Sequence, residues 1–187
     1  MRLLEAFIMK RILILGVLVL SLVGCGVKLE RTIQDFTHPM YKKVRDISEL
    51  TELILEKIDE NDKDVALHNG HLVDKELGIP MYEVVSYKEI KHFNEEDIED
   101  GLIVRSVVDD NPHLLILIEA KGKQEASNVE KSFSKVLSDQ KERFHGKGIS
   151  KNYMVNTNKR IRQGNYLIYV TWNNPKEAIN VFERHIR

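Results

Sequence analysis

The stretch LIVRSVVDDNPHLLILIEA, residues 102–120, decides the fold of this chain. Two β-like runs, residues 102–108 and 114–120, flank the tetrapeptide DDNP, which is typical of a turn between two strands. The second run is apolar at every position from 114 to 118, so both faces of an extended chain are apolar there. This pattern predicts a hairpin whose second strand is central in a sheet and covered on both sides.

A long helix is predicted directly after this hairpin, from about Gln124 to Phe144, because apolar residues recur on one stripe. Gln140 falls on that stripe, one turn before Phe144, where a core residue is expected. A buried amide needs partners, since an unpaired polar group costs about 1 to 3 kcal/mol. Two roles for Gln140 therefore remain open: it bonds to nearby backbone and fixes the helix, or it lines a ligand cleft.

The order strand, strand, helix then recurs. Alternating residues in 153–157 and 166–172, with a turn at Gly164, predict a second hairpin. Asn174 as a cap and Pro175 in the first turn predict a final helix. Two such units predict an α+β domain with an antiparallel sheet of about four strands and helices packed on one face.

An N-terminal helical region is predicted before the sheet. Asp46 and Glu49 form the pattern of a capping box, and apolar residues at helical spacing predict an amphipathic helix over residues 47–60. The remaining predictions here are a helical turn from Leu72 to Leu77 ended by Gly78, an unassigned segment 81–93, and a short helix capped by Asn94 and closed by Gly101.

The beginning of the chain has the layout of a secretory signal. Lys10 and Arg11 precede an apolar run, residues 12–23, and the chain's single cysteine, Cys25, follows closely. The run is shorter than the roughly 20 residues that a membrane-spanning helix needs. The segment LVGC, residues 22–25, resembles the lipobox of bacterial lipoproteins.

This resemblance implies that signal peptidase II removes residues 1–24 and that Cys25 carries a diacylglyceryl group and fatty acids such as palmitate. Met9 is the expected start, because the residues before it bring an acid and apolar bulk into a region that is usually short and basic. Residues 25–43 then form the lipidated cysteine and a tether, and residues 44–187 form a single domain. The alternative is an uncleaved anchor helix with a buried cysteine.

Composition and charge exclude several classes of function. Without residues 1–24 the chain has 25 bases and 28 acids, a net charge of −3, which argues against nucleic-acid binding. A composition of 42% hydrophobic and 30% charged residues indicates a globular protein. Because the one cysteine is committed to lipid, a disulfide, a cysteine nucleophile and a cysteine-based zinc site are excluded.

No motif identifies a reaction. The sequence has no glycine-rich phosphate loop, zinc motif or G-x-S-x-G elbow. Acids cluster at 95–100, in a predicted short helix, and at 109–110, in a predicted turn. The helix dipole favours acids in the first position and exposure to water favours them in the second, so neither cluster needs a catalytic role. His68, His71 and Asp74 are spaced by three and would share a helical face, but Gly70 interrupts that helix, so a solvated helix start is favoured over a metal site. We expect no metal and no cofactor.

Three bases, Lys159, Arg160 and Arg162, crowd the predicted second hairpin. Charges of this kind commonly protect an exposed sheet edge from pairing with another chain. The alternative is contact with an anionic surface, such as lipid headgroups or a phosphate-rich wall polymer, at about 1 kcal/mol for each base near a membrane. Together with Gln140, these are the candidate binding residues.

Several short segments follow the apolar hairpin in a distinctive order: Lys121-Gly122-Lys123, then Asp139-Gln140-Lys141 and Phe144, then Gly164-Asn165-Tyr166-Leu167. Their order and spacing resemble the bacterial lipoproteins that carry domain-of-unknown-function family 4358. The resemblance covers about residues 98–182, so the family-like part of the domain is about 98–187. It implies a lipid-anchored domain on the outer face of a Gram-positive cell membrane, and it provides no catalytic residues.

The sequence therefore predicts a membrane-anchored extracytoplasmic lipoprotein of unknown biochemical activity, a non-enzymatic binding or interaction module of the cell envelope. Its expected partners are the membrane, through Cys25, and an envelope protein or wall polymer. The alternative is a small cell-envelope hydrolase with an unrecognised site. A deep pocket with converging polar groups would favour the enzyme, and an open sheet face with exposed apolar residues would favour the binding module.

Overall fold

The structure, a computed structural model, describes residues 46–61, 64–69 and 71–186. The predicted signal peptide, the predicted site of lipid attachment at Cys25 and the predicted tether lie outside these residues. The elements in chain order are α1 (Ile47–Asn61), β1 (Val65–His68), β2 (His71–Asp74), β3 (Tyr82–Ser86), β4 (Ile98–Ser106), β5 (Leu114–Ala120), α2 (Lys123–Phe144), α3 (Ile149–Asn156), β6 (Lys159–Gln163), β7 (Tyr166–Thr171) and α4 (Pro175–His185), with 3₁₀ turns at Tyr87–Glu89 and Glu95–Asp97.

An antiparallel sheet of five strands, in the order β3-β4-β5-β7-β6, organises the domain. Strand β5 is its middle strand, as its two apolar faces predicted. The first predicted hairpin is present as β4–β5. The second is present as β6–β7, but its first strand is residues 159–163 and not the predicted 153–157. A separate hairpin, β1–β2, forms a second sheet. The α+β class and the antiparallel sheet are confirmed. The fifth strand, β3, comes from the segment 81–93 that the sequence left unassigned.

Helices cover both faces of the five-stranded sheet. Helices α1 and α4 pack on one face in a core that includes Leu115 and Leu117 of β5. Helix α2 packs on the other face, over Leu114, Ile116 and Ile118 of the same strand. The prediction that all helices lie on one face was therefore wrong, because such an arrangement would leave three large apolar side chains of β5 in water. The predicted cover of β5 on both sides is confirmed.

Two predicted short helices are largely replaced by other structure: a strand and a turn at 71–77, and a 3₁₀ turn followed by a strand at 95–101. Residues 71–74 form β2, so the expected helical turn is reduced to a turn after Asp74, whose Oδ1 accepts from the backbone N–H of Glu76 and Leu77 at 2.8 and 2.7 Å. The missed signal is the dipeptide Asn69-Gly70, because Asn-Gly between β-like runs is typical of a hairpin turn. Asn69 has a positive φ of 51°, as such a turn requires.

Gly101 lies inside β4 and closes no helix. A Cβ at this position would meet Ile118 Cδ1 at 2.5 Å and Leu117 O at 3.0 Å, so the glycine permits close packing within the sheet. Asn94 caps only a 3₁₀ turn, where its Oδ1 accepts from Glu96 N–H at 3.3 Å.

The expected strand at 153–157 is helix α3, followed by a turn at Thr157. Its two apolar alternating residues differ in burial, since Val155 is buried and Tyr153 is exposed. A strand pattern of only three residues does not distinguish a pleated edge from a short surface helix.

The starts of α1 and α4 lie where the sequence predicts them, although the side chain of Asn174, the expected cap of α4, makes no capping hydrogen bond. Asp46 Oδ1 accepts from Glu49 N–H at 2.8 Å at the start of α1, and Pro175 occupies the first turn of α4. None of the helices in the described ranges combines the length and the apolar character that crossing a bilayer requires.

Candidate functional site

A cleft of about 210 Å³ lies between the C-terminal half of α2 and the β4–β5 connection. Its apolar lining is formed by Ile90, Val108, Pro112, Leu114, Val136 and Phe144, and its polar lining by His92, Arg105, Ser106, Asn111, His113, Asp139, Gln140 and Arg143. Residues far apart in sequence therefore converge here, and the site exists only in the folded chain.

Gln140 is part of this cleft and is held by three partners. Its Nε2 donates to the backbone O of Pro112 at 3.0 Å. Its Oε1 accepts from Tyr169 OH at 2.6 Å and from Thr171 Oγ1 at 2.9 Å. The amide thus ties α2 to the β4–β5 connection and to β7. Gln140 also lines a cleft, and its role in binding a ligand stays a prediction.

The two hydroxyl groups beside Gln140 are inaccessible to water, with both Tyr169 and Thr171 fully buried. Burial raises the pKa of Tyr169 to about 12, because a phenolate would lose its hydration there. At neutral pH this tyrosine therefore keeps its proton and donates it to the Gln140 amide.

Two guanidinium groups contribute to the cleft. Arg105 Nε donates to Glu83 Oε1 at 2.6 Å, an ion pair between neighbouring strands. Arg143 Nη2 donates to Asp109 O at 2.6 Å and to Asp109 Oδ1 at 3.2 Å. Because a guanidinium carries five N–H donors, each arginine keeps donors beyond those used in these bonds.

A histidine–aspartate pair forms another part of the lining. His92 Nε2 and Asp139 Oδ2 are 2.7 Å apart. The hydrogen bond from His92 holds the pKa of Asp139 below its usual range. Ser132 Oγ donates to the backbone O of His92 at 2.7 Å, so this hydroxyl ties the loop that carries His92 to α2.

The segment 111–113 separates this cleft from a second one of about 330 Å³, which borders Lys151 and Met154 of α3. His113 holds that segment in place. Its ring stacks on Trp172 at 4.4 Å between centroids, and its Nδ1 lies 2.5 Å from Tyr82 OH. A stacked and hydrogen-bonded His113 fixes the wall that the two clefts share.

The predicted basic residues do not form a free tip. They lie on β6, which is an edge strand of the described sheet. Arg162 Nη1 bonds to Ser127 Oγ at 3.0 Å and to Glu130 Oε2 at 3.1 Å, while Arg160 Nη1 donates to Ser134 Oγ at 3.3 Å. Both arginines thus reach across to α2, and Lys159 is exposed. The structure does not bring these residues together with Gln140.

The other histidine cluster is also placed differently from the prediction. His68 and His71 are opposite each other in the β1–β2 hairpin, while Asp74 pairs with Val65 in that hairpin and accepts hydrogen bonds from its own turn. Among the described residues no group of three or more His, Cys, Asp or Glu side chains is placed to hold a metal ion.

Sequence reasoning found Gln140 through helical periodicity and missed the rest of the cleft. His92 lies in the unassigned segment 81–93, Arg105 is one residue of a predicted strand with no sign of a site, and Arg143 was one of many charges on the polar side of α2. Asp109 was predicted only as part of a turn between two strands, with no role in a site.

A comparison of the chain with protein-family models, curated proteins and solved structures gives no match.

Proposed function

We propose that this chain is a lipid-anchored binding module on the outer face of a bacterial cell membrane and that its ligand binds in the cleft beside Gln140. The LVGC segment before the domain supports lipid attachment at Cys25. The binding role rests on one observation, the meeting of an apolar wall, two guanidinium groups and a buried amide at a single cleft. Since helices cover both faces of the five-stranded sheet, a sheet face is not the binding surface. Of the two features that distinguish the candidate functions, the described residues have the cleft with converging polar groups, which favours the hydrolase alternative that is tested below.

The lining indicates the chemistry of the ligand. Six apolar residues would cover an apolar body, and Arg105 and Arg143 would donate to an acidic group, because guanidinium and carboxylate form strong charge-assisted hydrogen bonds. A volume of about 210 Å³ is below the range of roughly 300 to 1,000 Å³ typical of drug-sized ligands. The ligand is therefore a small carboxylate with an apolar body, or a chain end of that chemistry.

Binding is tested by thermal unfolding of the full chain with a panel of small apolar carboxylates and the matching neutral amides. At a concentration 100 times its Kd, a ligand stabilises by about 2.7 kcal/mol, which raises Tm by roughly 5 to 10 °C. Arg143→Gln should remove this shift. The matched control is Arg184→Gln, on α4 at the opposite face of the sheet. Equal shifts from carboxylates and amides, or a shift that survives Arg143→Gln, would contradict the proposal.

Anchoring is tested separately in cells. The parent chain should incorporate labelled palmitate, and Cys25→Ser should remain an unprocessed, unlabelled precursor. Continued incorporation into Cys25→Ser would refute lipid attachment at this residue.

The second candidate, a small envelope hydrolase, is favoured by the His92–Asp139 pair, since an imidazole oriented by a carboxylate is a common general base. Hydrolysis of ester and phosphoester substrates by the full chain, lost in His92→Gln and kept in the exposed control His145→Gln, would support it. Hydrolysis that survives His92→Gln would exclude this site.

A further inference from the structure

Two side chains of opposite charge lie one turn apart on α2, and both line the cleft beside Gln140. They are Asp139 and Arg143. Gln140 and Phe144 form the neighbouring row of the same helix surface and line the cleft as well. Side chains four residues apart in a helix are neighbours, with about 5 to 6 Å between their Cβ atoms. The cleft therefore has a negative and a positive group side by side, next to apolar surface.

Both charged groups are held by other elements and keep bonding capacity. His92 Nε2 lies 2.7 Å from Asp139 Oδ2, and Arg143 Nη2 donates to Asp109 O at 2.6 Å. An ionised carboxylate accepts through both oxygens and a guanidinium has five N–H donors, so Asp139 Oδ1 and Arg143 Nε and Nη1 can bond to a ligand. The two side chains are 56% and 57% exposed, so a ligand can reach them.

Arg105 adds a second cation from the sheet side of the cleft. Its Nε donates to Glu83 Oε1 at 2.6 Å, which leaves both terminal NH₂ groups as donors. Such a pair of donors matches the two oxygens of a carboxylate. A ligand with a carboxylate alone would place that negative charge near Asp139, and like charges brought together are unfavourable. A ligand with an ammonium beside its carboxylate would satisfy all three side chains.

We propose that the ligand of this cleft is a free α-amino acid with an apolar side chain, whose carboxylate binds Arg105 and Arg143 and whose ammonium binds Asp139. The inference rests on the proposed function and narrows its ligand. An α-amino acid carries its two charged groups on one carbon, as close together as the neighbouring side chains of Asp139 and Arg143 require. The carboxyl end of a peptide has no ammonium beside it and would leave Asp139 without a partner in the ligand.

The size of the cleft agrees with this ligand. A volume of about 210 Å³ holds on the order of seven water molecules, at about 30 Å³ each. An amino acid of the size of leucine fills a comparable space, and its side chain would pack against the six apolar residues of the lining. A peptide would extend beyond the cleft.

The experiment uses the full chain and isothermal titration calorimetry with three ligands of one carbon skeleton. L-leucine has both charged groups, 4-methylpentanoate lacks the ammonium, and leucinamide lacks the carboxylate. We expect L-leucine to bind on the order of tenfold more tightly than 4-methylpentanoate, the lower end of the gain from one charge-assisted hydrogen bond, because Asp139 is half exposed. Leucinamide should bind at least about tenfold more weakly than L-leucine, because it makes no ion pair with the arginines.

Asp139→Asn keeps the shape of the side chain and removes its charge. In this variant L-leucine should lose its advantage, whereas 4-methylpentanoate should bind at least as tightly as it binds the parent chain, because the like charge near its carboxylate is gone. The matched control is Glu52→Gln, which removes one exposed carboxylate from α1 on the opposite face of the sheet and should keep the advantage.

Equal affinities of L-leucine and 4-methylpentanoate for the parent chain overturn the inference and leave the proposed carboxylate site intact. An advantage of L-leucine that survives Asp139→Asn overturns it as well. Absence of binding by both compounds contradicts the proposed function too, so the two failures give different results. The comparison of ligands in the parent chain needs no variant, so it decides the matter even where Asp139→Asn folds poorly.

Discussion

Replacing Gln140 by Leu tests whether the buried amide holds the cleft together. The change removes three hydrogen bonds, to Pro112 O, Tyr169 OH and Thr171 Oγ1, and keeps a side chain of similar size. The hydroxyls of Tyr169 and Thr171 are 3.5 Å apart and can pair with each other, which leaves two buried polar groups short of a partner.

The expected loss follows from these two groups. Each unsatisfied group costs about 1 to 3 kcal/mol, and burial of the leucine side chain returns about 1.5 to 3 kcal/mol. The net destabilisation should be about 2 kcal/mol, measured as the change in the free energy of unfolding in urea, with a fall in Tm of roughly 4 to 8 °C.

Thr171→Val is the matched control, because it removes one hydroxyl and leaves Gln140 bonded to Pro112 and Tyr169. It should cost less than about 1 kcal/mol. In the double variant the two losses should not add, since Pro112 O and one hydroxyl are left without a partner in Gln140→Leu whether or not the Thr171 hydroxyl is present. A loss below about 0.5 kcal/mol for Gln140→Leu, or strict additivity in the double variant, would refute the network.

Gln140→Glu adds a pH dependence to the same test. Burial raises the pKa of the new carboxyl above its unfolded value of about 4.3, because the charged form loses hydration and faces the Pro112 carbonyl. A group whose folded pKa is raised contributes its full stability below the unfolded pKa and loses it as the pH rises through the folded pKa. The urea concentration at the midpoint of unfolding should therefore fall more between pH 5 and pH 8 in this variant than in the parent chain. An equal fall in the two proteins would contradict the burial argument.

Two further outcomes are expected. Gly101→Ala should lower the free energy of unfolding in urea by about 1 to 3 kcal/mol, because its Cβ would meet Ile118 Cδ1 at 2.5 Å inside the sheet. The control Gly122→Ala should cost clearly less, because the new Cβ would meet only the flexible carboxylate of a glutamate. His92→Asn should raise the pKa of Asp139 toward its ordinary value, followed by NMR titration of the carboxyl carbon, because the hydrogen bond from His92 is the main cause of its lowering; an unchanged pKa would show that the pair does not form in solution.

Much of the skeleton was predictable because its signals are local. The two-sided apolar run 114–118 identified a central strand, and the 3.6-residue period placed α2 to within one residue at its start. The same period placed Gln140 among the buried residues of that helix, where it is found. These properties follow from the geometry of a single strand or helix, in which side chains repeat on one face.

Only the tertiary structure decided which elements cover each other and which side chains meet. The partners of Gln140 lie 28 to 31 residues away in sequence, and the direction of Arg160 and Arg162 toward α2 depends on how β6 joins the sheet edge. A periodic pattern predicts that one face of an element is buried, but it does not predict which other element covers that face. Any apolar surface of suitable shape can do so, because the hydrophobic effect is not directional. Hydrogen bonds and ion pairs are specific in distance and direction, so the cleft exists only after long-range packing has brought α2, β7 and the β4–β5 connection together.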